Sequence, residues 1–152
     1  SDLKSLGTLL CCAGAFLLAA SSPVLAATPE QAQELMRVYF TNTLICKIPG
    51  LFECHVYFYP DGRMVQFSYD VRTGQNAMDL DNNMNGLVGL PGKWTVEGEP
   101  GAFKLCRQLG AVKAPRCGLE APKKVGDTWL MVHKQGPLAG LTETFTIVAG
   151  RK

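Results

Sequence analysis

The sequence predicts a mainly β fold: a small antiparallel barrel or sandwich with one N-terminal amphipathic helix after a signal peptide. Three pairs of segments with alternating apolar residues, the turn residues between them and the confinement of helical spacing to one stretch predict this class. A length of 152 residues fits one globular domain. A charged fraction of 18% and a net charge of +2 argue against a disordered chain and a nucleic-acid binder.

The first 26 residues have the layout of a secretory signal peptide. Lys4 precedes the apolar run 6–20, which is short for a membrane span, and Val24-Leu25-Ala26 supplies a small-residue cleavage site. We therefore divide the chain into a signal peptide, 1–26, and a single β-domain, 27–152, with cleavage after Ala27 nearly as acceptable. The rejected alternatives are a retained membrane anchor and a lipoprotein acylated at Cys11 or Cys12. The expected location is the periplasm or the exterior, with no stable membrane anchor after cleavage.

Cleavage reduces six cysteines to four, namely Cys46, Cys54, Cys106 and Cys117. An even number of cysteines in an exported chain predicts disulfides, and four allow three pairings. We favour the sequence-local pairs, 46 with 54 and 106 with 117, over crossed ones. The C-x7-C and C-x10-C spacings are longer than the short spacings typical of zinc sites. A thioredoxin-like redox role is also disfavoured, because no C-x-x-C motif occurs after the signal peptide.

The segment after the cleavage site carries the signals of a helix start. Thr28 is a suitable N-cap, Pro29 suits the first helical position, and Gln31 lies three residues after the cap. Apolar residues then repeat at helical spacing, so we predict one amphipathic helix over about 29–41.

Beyond residue 52 the period of the apolar residues changes to two. The predicted hairpins join 54–59 to 65–69 through Pro60-Asp61-Gly62, 93–97 to 103–106 through residues 98–101, and 128–134 to 141–148 through residues 135–140. Threonines alternate with Glu143, Phe145 and Ile147, which indicates one buried and one solvated face.

Between the first two hairpins, residues 70–91 are rich in Asn, Asp and Gly and are predicted to form a long loop. Within it, Asp81–Gly86 matches the first half of a calcium-binding loop. The twelfth position, where a bidentate glutamate belongs, is Gly92. We therefore expect neither calcium nor any other metal to bind, and we predict that calcium leaves the melting temperature unchanged.

Residues suited to catalysis are few after the signal. Ser68 is the single serine and lies in a strand pattern, and His55 and His133 are the only histidines, without a neighbour at metal-ligand spacing. Carboxylates brought together by folding remain a possible acid–base site, but no pattern identifies a pair. The sequence thus predicts no catalytic residue and no cofactor.

Charge is divided unevenly along the chain. Residues 28–92 carry four basic and seven acidic groups, whereas residues 93–152 carry ten and five. The basic residues around the second cysteine pair, with Glu120 the only acid among them, are Lys104, Arg107, Lys113, Arg116, Lys123 and Lys124. They indicate a solvated basic face, with a surface for an acidic partner as the alternative.

A resemblance rests on the segments 59–63 (YPDGR), 92–98 (GKWTVEG), Leu105-Cys106 and Cys117-Gly118. Their spacing resembles small secreted bacterial proteins of unknown function with calycin-like or lipocalin-like β-architecture, and it implies a fold and an exported location. We expect an exported, non-enzymatic binding protein whose partner is a macromolecule, for instance a hydrolase that it inhibits. The alternative is a carrier of a small apolar ligand, with the aromatic residues Tyr57, Tyr59, Tyr69, Trp94 and Trp129 lining its cavity. An enzyme with an unrecognised carboxylate site is third.

Overall fold

One curled antiparallel sheet and one helix make up the fold that this computed structural model describes, which covers residues 25–70, 89–110 and 114–151. The helix, α1, is Pro29–Phe40. The strands are β1 Thr43–Ile48, β2 Phe52–Phe58, β3 Arg63–Asp70, β4 Leu90–Glu97, β5 Lys104–Leu109, β6 Arg116–Leu119, β7 Thr128–Val132 and β8 Thr142–Val148. The predicted fold class is confirmed, as a half-barrel, and the signal peptide 1–26 lies almost wholly outside the described residues.

The start of α1 is fixed by the predicted capping box. The Thr28 hydroxyl accepts from the backbone N–H of Gln31, and the Gln31 side chain accepts from the backbone N–H of Thr28. Together these bonds satisfy two backbone donors that a helix start leaves without partners. The inner face of α1, with Leu35, Met36 and Tyr39, is buried against the sheet.

The strand order is β6-β5-β4-β3-β2-β1-β8-β7, so β6 and β7, which follow each other in the chain, are at opposite edges. The backbone N–H of Glu120 donates to Phe103 ahead of β5, and that of Gly126 donates to Ile147 of β8. The six residue steps from Glu120 to Gly126 reach about 21 Å when extended, whereas the seven strand spacings between β6 and β7 would cover about 34 Å in a flat sheet. The sheet must therefore curl, bringing the two edges toward each other.

All three predicted hairpins are confirmed as β2–β3, β4–β5 and β7–β8. Strands β1 and β6 were not predicted; they pair with β2 and β5 and contribute one cysteine each. The predicted bounds of the loop, 70–91, are wrong at both ends, because Asp70 ends β3 and Leu90 begins β4. Residues 71–88, including the candidate calcium segment Asp81–Gly86, lie outside the described residues.

The core lies on the concave face of the sheet, under α1. Its buried residues come from the helix and from most strands, and include Met36, Tyr39, Val56, Phe58, Met64, Trp94, Phe145 and Ile147. Both members of the first disulfide, Cys46 and Cys54, belong to it. The second disulfide joins Cys106 to Cys117. The two pairs are thus the sequence-local ones, and each joins residues directly opposite each other in neighbouring strands.

Candidate functional site

The curled sheet leaves one open side, between β5–β6 and β7–β8, which we call the seam. It is lined by Tyr39, Arg107, Glu120, Lys123, His133 and Glu143. Contact across it is direct: the guanidinium carbon of Arg107 on β5 lies 6.0 Å from the centroid of the Phe145 ring on β8.

On the helix side of the seam, the Glu120 carboxylate interacts with two donor groups, one polar and one charged. Its Oε1 lies 2.6 Å from the hydroxyl of Tyr39 and 3.1 Å from Nζ of Lys123. Burial raises the pKa of the Tyr39 phenol above its ordinary value, and the adjacent Glu120 carboxylate raises it further. Tyr39 is therefore a neutral hydrogen-bond donor to the Glu120 carboxylate.

On the other side of the seam, Glu143 is buried on β8 with its Oε2 2.9 Å from Nε2 of His133. Both side chains are about nine-tenths buried, with 9% and 12% of their surface exposed. The hairpin register brings them together, because the backbone N–H of His133 donates to Leu141, two residues before Glu143. His133 follows β7 rather than lying in it, which corrects its predicted place in a strand.

Arg107 lies between the two carboxylates. Burial lowers the pKa of its guanidinium, while attraction to Glu143, Tyr39 and Glu120 opposes that shift. No buried side-chain nitrogen or oxygen of the described residues lacks a hydrogen-bond partner. Glu120, Lys123, Glu143 and His133 thus have polar partners within the protein, and we interpret these contacts as the ones that hold the open side together.

The predicted basic face is divided by this arrangement. Arg107 and Lys123 point into the seam, and Nζ of Lys123 lies 4.4 Å from the ring centroid of Trp129. Lys104, Arg116 and Lys124 are exposed, and Lys113 lies outside the described residues. Of the described members of this set, the exposed Lys104, Arg116 and Lys124 remain available to an acidic partner.

Beside the seam, β7 is one of the two edge strands of the sheet and exposes apolar side chains. Leu130 is 67% exposed and Val132 is 53% exposed, and both lie on the convex face. Trp129 points the other way and stacks on Phe145 with their ring centroids 5.6 Å apart. Long, exposed apolar edges are a hazard for a soluble protein, so one that persists usually has a partner.

The backbone of β7 also presents free hydrogen-bonding groups. Asp127 accepts from the backbone N–H of Ile147 and His133 donates to Leu141, so the odd-numbered residues of this strand bond to β8. In an antiparallel pair the alternate residues face away. The N–H and C=O groups of Thr128, Leu130 and Val132 therefore point outward, and in the described part of the chain no strand lies on that side.

Two sets of possible metal ligands occur in the described residues, and each contains a disulfide. Glu143 lies within 4.8 Å of the sulfurs of Cys46 and Cys54, and Glu97 lies within 4.8 Å of those of Cys106 and Cys117. A disulfide sulfur is not a thiolate and is a poor metal ligand. Gly92, the twelfth position of the candidate calcium loop, lies inside β4 between two paired strands.

Of the aromatic residues considered for a cavity, the four with described side chains contact other protein groups, namely Tyr57, Tyr59, Trp94 and Trp129. The side chain of Tyr69 lies outside the described part of the structure. Trp94 is in the core, with its Nε1–H donating to the carbonyl of Tyr59 at 2.8 Å. The guanidinium carbon of Arg151 lies about 5 Å from the ring centroids of Tyr57 and Tyr59. A groove of about 700 Å³ lies outside α1, where Leu35, Val38, Phe103 and Pro122 contribute apolar surface.

Sequence reasoning missed the seam, because its members come from one helix, two strands and two connections. Of the earlier candidates, Ser68 accepts from the Gln66 side chain in β3, and His55 lies 3.0 Å from Glu53. Both histidines thus have a glutamate partner that no local spacing indicated.

Among the residues described, no helix combines the length and apolar character needed to cross a bilayer. Comparison of the chain with family models, curated proteins and solved structures finds no match. The resemblance to calycin-like proteins therefore stays a prediction.

Proposed function

We propose that this chain is an exported, non-enzymatic protein that binds another protein by adding an extended segment of it to the free edge of β7. The observation that carries the proposal is the edge itself, where Leu130 and Val132 expose apolar side chains beside outward-facing backbone groups. Strand addition uses both features, because the backbone bonds provide affinity and the alternating side chains provide specificity.

The charged residues that flank β7 indicate the chemistry of the partner segment that would bind there. Exposed lysines flank the edge, Lys124 before β7 and Lys134 after it. A bound strand with alternating apolar residues at its centre and acidic residues at its ends matches this distribution. Lysines at both ends also disfavour the stacking of further copies of the chain along the edge.

An exported location is supported by the two disulfides, which persist in an oxidising compartment. The non-enzymatic assignment is supported by the partners that the two seam carboxylates have within the protein: Glu120 bonds to Tyr39, and Glu143 bonds to His133. A carrier of a small apolar ligand has less support, because α1 and core residues such as Trp94 occupy the concave face.

The test uses a synthetic peptide of alternating valine and threonine with two glutamates at each end, titrated into uniformly ¹⁵N-labelled protein. We expect saturable shifts of the amide signals of Thr128, Leu130 and Val132, since their N–H groups acquire acceptors. Absence of shifts at millimolar peptide, or shifts confined to another surface, would overturn the proposal. Sedimentation without peptide provides a second check, since a dimer formed through β7 would make a second copy the occupant.

Variants separate edge binding from non-specific adhesion. Leu130→Pro removes an outward N–H without breaking the ladder to β8, and we expect it to weaken peptide binding at least tenfold. Leu119→Lys is the matched control, because Leu119 is a similarly exposed apolar residue on the opposite edge strand. Equal loss in both variants would contradict binding at β7.

A further inference from the structure

The two disulfides occupy contrasting surroundings. Cys46 and Cys54 are 1% and 2% exposed and belong to the core. Cys117 is exposed, on the strand β6, whose four residues are all exposed. Its partner Cys106 is buried.

Their positions in the sheet also make the second disulfide the more accessible of the two. The first disulfide links β1 to β2, and both strands have a further neighbour on their other side. The second ties the edge strand β6 to β5, and β6 has only that one neighbour among the described strands. A short edge strand opens locally at a much smaller free-energy cost than two interior strands.

Thiol–disulfide exchange requires a thiolate to reach one sulfur, so access decides which bond reacts. We propose that Cys106–Cys117 is a thiol–disulfide exchange site that an external dithiol reduces while Cys46–Cys54 stays intact. A thiolate of the dithiol attacks Sγ of Cys117, and the bond to Cys106 breaks, releasing the Cys106 thiolate, which takes up a proton. The second thiol of the reagent then displaces Cys117 as a thiol, and the reagent leaves as a disulfide.

Reduction has a structural consequence because β6 leads directly into the seam. Glu120 follows the last residue of β6 and holds Tyr39 of the helix and Lys123. Without the covalent link to β5, β6 is held by non-covalent contacts alone, namely its backbone pairing at 116–119 and the bonds of Glu120. The reduced protein therefore has a looser seam than the oxidised protein.

The Glu97 carboxylate slows the thiol–disulfide exchange at Cys106–Cys117 by electrostatic repulsion. Its carboxylate lies within 4.8 Å of both sulfurs and repels an approaching thiolate. We expect Glu97→Gln to accelerate reduction of this disulfide about threefold to tenfold. Glu99→Gln, an exposed position in the neighbouring turn, is the matched control and should leave the rate unchanged.

The test exposes the native protein to dithiothreitol, quenches samples with iodoacetamide and measures each cysteine pair by peptide mass spectrometry. We expect Cys106 and Cys117 to be alkylated at least tenfold faster than Cys46 and Cys54, with faster amide exchange at 116–120 after reduction. Equal rates, faster reaction of the core pair, or no reaction before denaturation would each overturn the proposal. The double variant Cys46→Ala, Cys54→Ala checks that the exchange at Cys117 does not depend on the core disulfide.

Discussion

The hydroxyl of Tyr39 donates a 2.6 Å hydrogen bond to Glu120, joining the helix to the residue that follows the edge strand β6. Lys123 approaches the same carboxylate oxygen at 3.1 Å. These contacts hold residues 120–127, the connection between opposite sheet edges, against the helix. The half-barrel thus closes its open side with side chains in place of a continuous backbone ladder.

Replacement of Tyr39 by phenylalanine should lower the free energy of unfolding by about 1.5–3 kcal/mol, the range for a hydrogen bond to a charged group. The ring still fills the core, where Tyr39 is 1% exposed, so the loss reports the hydroxyl. Urea unfolding measures it. Tyr59→Phe is the control, since that ring lies outside the core; a loss as large as that of Tyr39→Phe would contradict the interpretation.

The raised pKa of Tyr39 also predicts a loss of stability in alkaline solution. Since the phenol ionises near pH 10 when unfolded but at higher pH when folded, its contribution is fully present below about pH 10 and falls as the pH rises further. One such group adds a slope of at most about 1.4 kcal/mol per pH unit. The free energy of unfolding, measured in urea at pH 9, 10 and 11, should decline more steeply with pH for the native chain than for Tyr39→Phe. Parallel declines of the two proteins would refute this prediction.

Gly92 is required by the packing of three strands. A Cβ at this position of β4 would overlap the backbone oxygen of Gln108 on β5 and lie 2.9 Å from Cδ2 of Leu109. Since a backbone atom in a paired strand cannot move aside cheaply, Gly92→Ala should destabilise the protein by about 1–3 kcal/mol. Thermal unfolding of Gly118→Ala is the control, because a Cβ there meets nothing within 4 Å. Equal melting temperatures for the two variants would disprove this account.

Local patterns predicted the elements whose determinants are local. Helix α1 followed from the cap Thr28 and from Gln31, and the first hairpin followed from its turn, where Gly62 has a φ of 90°. Strand β1 was missed because Ile45, which is only partly buried, stands between the buried Leu44 and Cys46 and so interrupts the alternation of apolar and polar residues, and β6 was missed because its four residues are all exposed. The edge position of β7 depends on strand order, which alternation along one segment does not specify.

The seam was beyond local patterns for a related reason. Arg107 and Lys123 were assigned to a solvated basic face because only one acid, Glu120, is near them in sequence. Glu143 reaches Arg107 only after the sheet curls, when β8 comes to face β5. Charge counted along the chain therefore exaggerated the basic surface of the protein.

The backbone before the helix extends the sheet beside β4. Ala26 pairs with Glu97, the N–H of Ala27 donates to the carbonyl of Val96 at 3.1 Å, and that of Gly98 donates to Leu25 at 2.7 Å. Both predicted cleavage positions fall within this segment. A chain starting at Leu25 keeps both bonds, one starting at Ala27 keeps one, and one starting at Thr28 keeps neither.

We expect the free energy of unfolding to fall by about 0.5–1.5 kcal/mol for each bond lost. The chain starting at Thr28 should lose somewhat more, because its amino-terminal charge lies at the positive end of the helix dipole. Urea unfolding of the three purified chains measures the series. Ala27→Pro in the chain starting at Leu25 removes one donor without shortening the segment and should match the loss of that bond. Equal stability of all three chains would mean that the pairing beside β4 contributes nothing, and that the choice between the two cleavage positions leaves stability unchanged.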